Sequence, residues 1–129
     1  MHYKKLCGLD LPKEKCGFGY LGKKTRDDKS LRAKLFIPAH AAASEDIADL
    51  AQYNIDKVLE IADKITGICR EPLYFEAILQ KLFADYGLTM NFEQYVLVGS
   101  TVRSYLAWLK DTGRLNGLFE NNMLLWRQV

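Results

Sequence analysis

Asn91-Phe-Glu-Gln-Tyr-Val-Leu-Val-Gly99-Ser-Thr-Val-Arg103-Ser-Tyr-Leu-Ala-Trp-Leu-Lys110-Asp-Thr-Gly113-Arg-Leu-Asn-Gly-Leu-Phe-Glu120-Asn-Asn-Met-Leu-Leu-Trp-Arg127 is the stretch that decides the fold. Asn91 followed three residues later by Gln94 has the pattern of a capping pair and predicts a short helix over 91–98. Gly99-Ser100 reads as a turn, and a second helix follows over 100–112. Val102, Tyr105, Leu106 and Leu109 recur at helical spacing and form its core face, and Gly113 stops it. Residues 115–119 and 123–127 are rich in apolar and β-forming types and read as two strands. Asn121-Asn122 between them suits a tight hairpin, because asparagine tolerates the positive φ angles such turns need.

Working outward, Pro72 and Gly87 bracket a helix over 72–86, with Pro72 at its first position. Its wide apolar face is Tyr74, Phe75, Ile78, Leu79, Leu82 and Phe83. Residues 88–90 form a brief extended stretch. A long helix covers 44–66, with Ser44 as N-cap, Glu45 and Asp46 in the first turn, and Gly67 as the stop. Ile47, Leu50, Ala51, Ile55, Val58, Leu59, Ala62 and Ile65 make its apolar stripe. Tyr53, Tyr74, Tyr95, Tyr105 and Trp126 are expected in the core, and Trp108 against the 44–66 helix. Residues 1–43 are Gly-punctuated and basic, with a boundary before Pro38. The expected fold class is mostly α with a small β-hairpin. Residues 1–43 form a basic arm or small subdomain, and 44–129 form a helical domain.

The order helix, short strand, helix, turn, helix, hairpin over 72–128 resembles the winged helix-turn-helix fold. The phrase Gly-Ser-Thr-Val-Arg-Ser-Tyr-Leu-Ala-Trp-Leu-Lys-Asp-Thr-Gly-Arg-Leu at 99–115 is similar to the recognition helix of bacterial winged-helix regulators, at the level of fold and no narrower family. The resemblance implies a helix at 100–112 that enters a major groove of double-stranded DNA. Arg103 would then read a guanine edge, Ser100, Thr101 and Ser104 would bond bases or phosphates, and Lys110 and Arg114 would support them. The role implied is that of a small transcriptional regulator or a replication or phage accessory factor. The long helix at 44–66 would offer a homodimer surface, matching a palindromic site.

Charge divides the chain. Residues 1–43 hold ten Lys/Arg against four acids, a net +6, and residues 44–129 hold eight against twelve, a net −4. Lys23, Lys24, Arg26, Lys29 and Arg32 would track a phosphate backbone, which makes binding salt-dependent. The alternative is a winged-helix module that docks on a protein and binds no DNA, as an inhibitor or assembly factor. Glu120 at the hairpin turn and the acidic body favour it. A continuous positive face joining the arm to residues 100–110 would support DNA, and an acidic face there a protein partner.

Other classes find little support. No apolar run is long enough to span a membrane. The polar start predicts no secretory leader, hence a cytoplasmic protein. Three cysteines at irregular spacing (Cys7, Cys16, Cys69) do not make a disulfide framework, and with His2 and His40 they lack the paired spacing of a zinc site. The glycines of 17–22 fit neither the dinucleotide nor the P-loop pattern. Neither histidine has a nucleophile or carboxylate at local range, and Glu71 and Glu76 read as a cap and a solvated face. No cofactor, metal or enzymatic activity is expected.

Overall fold

The computed structural model describes residues 35, 37, 42, 43 and 45–129. Among these, three helices and a three-stranded antiparallel sheet form a mixed α/β body with a helix-rich core. The order is α1 (Ala48–Ile68), β1 (Leu73–Tyr74), α2 (Phe75–Asp85), α3 (Phe92–Asp111), β2 (Leu115–Glu120) and β3 (Met123–Gln128).

α1 begins and ends later than its sequence pattern predicts. The carboxylate of Asp46 accepts the Ala48 N–H at 2.8 Å, so the acid expected in the first turn acts before it; Ser44 lies outside the described residues. Gly67 stops nothing, and the helix runs on to Ile68. The chain leaves the helix at Cys69, whose carbonyl accepts the Gln128 N–H of β3 at 2.6 Å. A bond to the sheet, rather than a glycine, sets that end.

The next segment departs further. Pro72 does not start a helix. Leu73 and Tyr74 pair with Trp126 and Leu125, and α2 opens only at Phe75 from an extended Tyr74. β3 therefore lies in the middle of the sheet, in the order β1-β3-β2. The extended stretch expected at 88–90 forms no strand. The two strands of the hairpin each run one residue longer than predicted. Asn121 and Asn122 turn it with φ of 50° and 61°, the backbone of a tight primed turn.

The largest correction concerns α3, a single 20-residue helix through the Gly99-Ser100 position that reads as a turn. Asn91 caps it as predicted, its side chain accepting the Gln94 N–H at 2.8 Å. Val98, Val102, Tyr105, Leu106 and Leu109 form one unbroken buried stripe, so the burial pattern continues across the glycine. Gly99 is itself buried, and a Cβ there would lie 3.5 Å from the Phe75 ring. The residue is small because α2 crosses at that point. α3 ends at Gly113 (φ 72°), where Gly113 N–H bonds to Lys110 and Arg114 N–H to Leu109, a paired closure that needs a left-handed residue.

Ile61, Ala62, Ile65 and Cys69 of the α1 end pack with Ile78, Leu79, Leu82 and Phe83 of α2, the α3 stripe, and Leu115 of β2. Each fully buried Leu or Ile stabilises the fold by roughly 1.5–3 kcal/mol before entropy is counted. Of the aromatics expected inside, Tyr105 is buried and Trp108 and Trp126 lie half-buried against the core, with Trp108 tilted on Tyr105 at 6.5 Å. Tyr53, Tyr74 and Tyr95 are exposed. Leu50 and Leu59 of the α1 stripe are also exposed.

Candidate recognition surface

α3 buries one side and turns the other to solvent. Phe92, Glu93, Val96, Leu97, Ser100, Arg103, Ala107, Lys110 and Asp111 make up the exposed side. At 100° per residue, Phe92, Val96, Arg103 and Lys110 fall in one row, and Leu97 lies about 100° round the helix from Val96. The first two turns of this side carry large apolar side chains beside Glu93: Phe92 is 79% exposed, Val96 51% and Leu97 47%. On the hairpin, Phe119, Leu118 and Met123 are exposed as well.

The candidate DNA contacts are dispersed. Thr101 is buried, with its hydroxyl donating to the Leu97 carbonyl at 3.2 Å, and it does not share the outer face. The continuous helix turns it inward, beside Val102. Ser104 is half-buried and donates to the Ser100 carbonyl at 3.2 Å, and Ser100 is exposed. Arg114 donates to the Asp63 carboxylate at 2.7 Å, tying the start of the hairpin to α1. Arg103 and Lys110 face solvent on α3, where Lys110 also complements the helix dipole in the last turn. Lys23, Lys24, Arg26, Lys29 and Arg32 lie outside the described residues.

Arg103 is held from below. Its guanidinium carbon stands 3.6 Å from the centroid of the Phe75 ring, a close cation–π stack between α3 and α2. The Phe75 ring and Leu79 both face Gly99 of α3. Across the helix pair, the Tyr95 hydroxyl reaches Glu76 at 3.4 Å.

The charge on this surface is mixed. Arg103, Lys110 and, on β3, Arg127 are set against Glu93, Asp111 and Glu120. Elsewhere, Lys57 and Glu60 pair at 2.6 Å, and the lysine hydrogen bond holds the Glu60 carboxyl below its usual range. A shallow cleft of about 580 Å³ lies at the ends of α1 and α2, lined by Lys64, Arg70, Lys81, Glu71 and Asp85. Among the described residues, no three His, Cys, Asp or Glu gather as metal ligands, and no helix is long and apolar enough to cross a membrane.

Phe92, Val96 and Leu97 are surface residues that the sequence pattern does not single out, and Phe75 reads there as core alone. Splitting α3 at Gly99 hides the outer row, which appears only when 92–111 is wound as one helix. Comparison with protein-family models, curated proteins and solved structures found no match.

Proposed function

We propose that the described body is a winged helix that recognises a protein, with the exposed side of α3 as its docking face. The observation that carries this reading is the exposed apolar pair Phe92 and Val96, which shares a row with Arg103 on the solvent side of α3. A contiguous group of large apolar side chains in water marks an interaction site more often than a nucleic-acid contact. The net −4 of residues 44–129 opposes a polyanion, and only Arg103 and Lys110 supply positive charge on this side of α3. The winged-helix part of the reading is supported by element order. Helix, short strand, helix, helix, hairpin recurs here as α1, β1, α2, α3, β2–β3, one helix earlier in the chain than the sequence pattern places it.

A second reading, duplex DNA binding by a small regulator or accessory factor, is favoured by the ten Lys/Arg of residues 1–43. In that case the arm contributes most of the affinity.

The two readings separate in one pair of experiments on the full chain. Peptides are selected from a displayed random library and counter-selected on Val96→Glu. The peptides bind the wild-type chain at micromolar Kd, and Val96→Glu or Phe92→Glu weakens them about ten-fold or more. Fluorescence anisotropy with a random duplex over a salt series forms the second arm. Any duplex binding falls steeply with salt, is lost in Lys23→Ala/Lys24→Ala and is unchanged in Arg103→Ala. Duplex binding that Arg103→Ala or Lys110→Ala weakens, with no peptide sensitive to Val96→Glu, overturns the protein reading.

A further inference from the structure

We infer that Arg103, mounted on the Phe75 ring, is the polar anchor of the docking face and takes a partner carboxylate beside the partner's apolar side chains. The inference deepens the protein reading and rests on it.

Three observations carry it. The guanidinium carbon lies 3.6 Å from the centroid of the Phe75 ring, on an exposed residue whose N–H donors make no hydrogen bond among the described residues. A planar fork with restricted motion suits a two-oxygen acceptor and loses little freedom on binding. Second, Arg103 makes no ion pair among the described residues, whereas Arg114 is committed to Asp63. Third, the platform is anchored at both ends: Phe75 opens α2 directly after the β1 pairing, and its ring faces Gly99 of α3.

Position selects the ligand. Arg103 shares the row of Val96 and Phe92, two and three turns further along, so a bound segment meets the cation at one end and apolar groups at the other. Glu93, ten residues away on α3, is about 15 Å distant along the axis. That exceeds the screening length of roughly 8 Å at physiological salt, so its charge does not cancel Arg103 locally. A carboxylate seated on Arg103 with aliphatic or aromatic neighbours matches both ends. A guanine edge would match only the first.

The test uses a selected peptide that contains Glu or Asp and the same peptide with the amide in its place, titrated into the full chain. The Arg103 Nε–H resonance is followed by NMR. The carboxylate peptide shifts that resonance, and the amide version binds about ten-fold more weakly. Phe75→Leu weakens the carboxylate peptide and removes its advantage over the amide, Phe75→Tyr restores both, and Arg103→Lys behaves like Phe75→Leu. Circular dichroism on each variant confirms the fold. Equal binding of the two peptides overturns the anchor and leaves the docking face standing. If no peptide sensitive to Val96→Glu exists, both fall. If a duplex shifts the Arg103 resonance and the peptides do not, the fork reads a base edge and the inference is wrong.

Discussion

Asn122 carries a φ of 61° with a side chain attached, at the turn between β2 and β3. Asparagine bears that conformation at little cost, and a β-branched residue does not. Asn122→Val should therefore lower stability by about 1–2 kcal/mol, read from urea unfolding, with little change in the m-value. Cys69 makes a pH-dependent contribution. Burial pushes its thiol up to about 11, against a smaller opposing pull from the Lys81 charge. The folded protein keeps this proton where the unfolded chain has released it. The contribution is full below the ordinary value of 9.0 and is lost as pH rises through about 11. The stability difference between wild type and Cys69→Ala should thus shrink between pH 9 and 11, measured by denaturant midpoints. Arg114 and Asp63 form a pair at the surface, so Arg114→Ala costs under about 1 kcal/mol.

α3 shows how one residue type supports opposite local readings. Glycine next to serine is a common turn signal, and here the same pair lies inside a helix whose buried stripe runs on across it. A Cβ at Gly99 meets the Phe75 ring at 3.5 Å, an ordinary contact, so the space admits one methyl and no more. Gly99→Ala is expected to stabilise the protein by about 0.5–1 kcal/mol through helix propensity alone. Gly99→Leu, in contrast, displaces Phe75 and with it Arg103. A two-helix arrangement with a turn at 99–100 would instead make Gly99→Ala destabilising, and urea unfolding of the two variants decides. β1 makes a related point. Pro72 followed by apolar residues has the look of a helix start, yet Leu73 and Tyr74 are claimed by β3. A two-residue strand has too little pattern of its own to be seen before its partner is placed.

At the scale of the whole molecule, the second half of α1, α2, α3 and β2 share one core, and the first half of α1 lies largely outside it. Ile65 is fully buried and Leu50 is 38% exposed. Ile65→Ala should cost about 2–5 kcal/mol, and Leu50→Ala under about 1 kcal/mol, by thermal or urea unfolding. Equal losses would mean that the start of α1 is buried too, as in a dimer formed through that helix. Much of this architecture is legible in the chain. Helical spacing identifies the buried stripes of α1, α2 and α3, because period and burial face are local consequences of winding. Asn91, Gly113 and Asn121-Asn122 mark a cap, a stop and a turn through their own backbone preferences. The continuity of α3 and the diversion of 73–74 into a sheet depend on contacts between residues far apart in sequence, whereas the inward turn of Thr101 follows from the same helical phase as Val98 and Tyr105. The candidate site divides the same way. Arg103 stands out as a lone outward cation on a helix, but its Phe75 platform and its apolar row exist only once α2 crosses α3 at Gly99. Local propensity determined which residues wind, cap and turn, and the packing of α2 on α3 decided which of them face the solvent together.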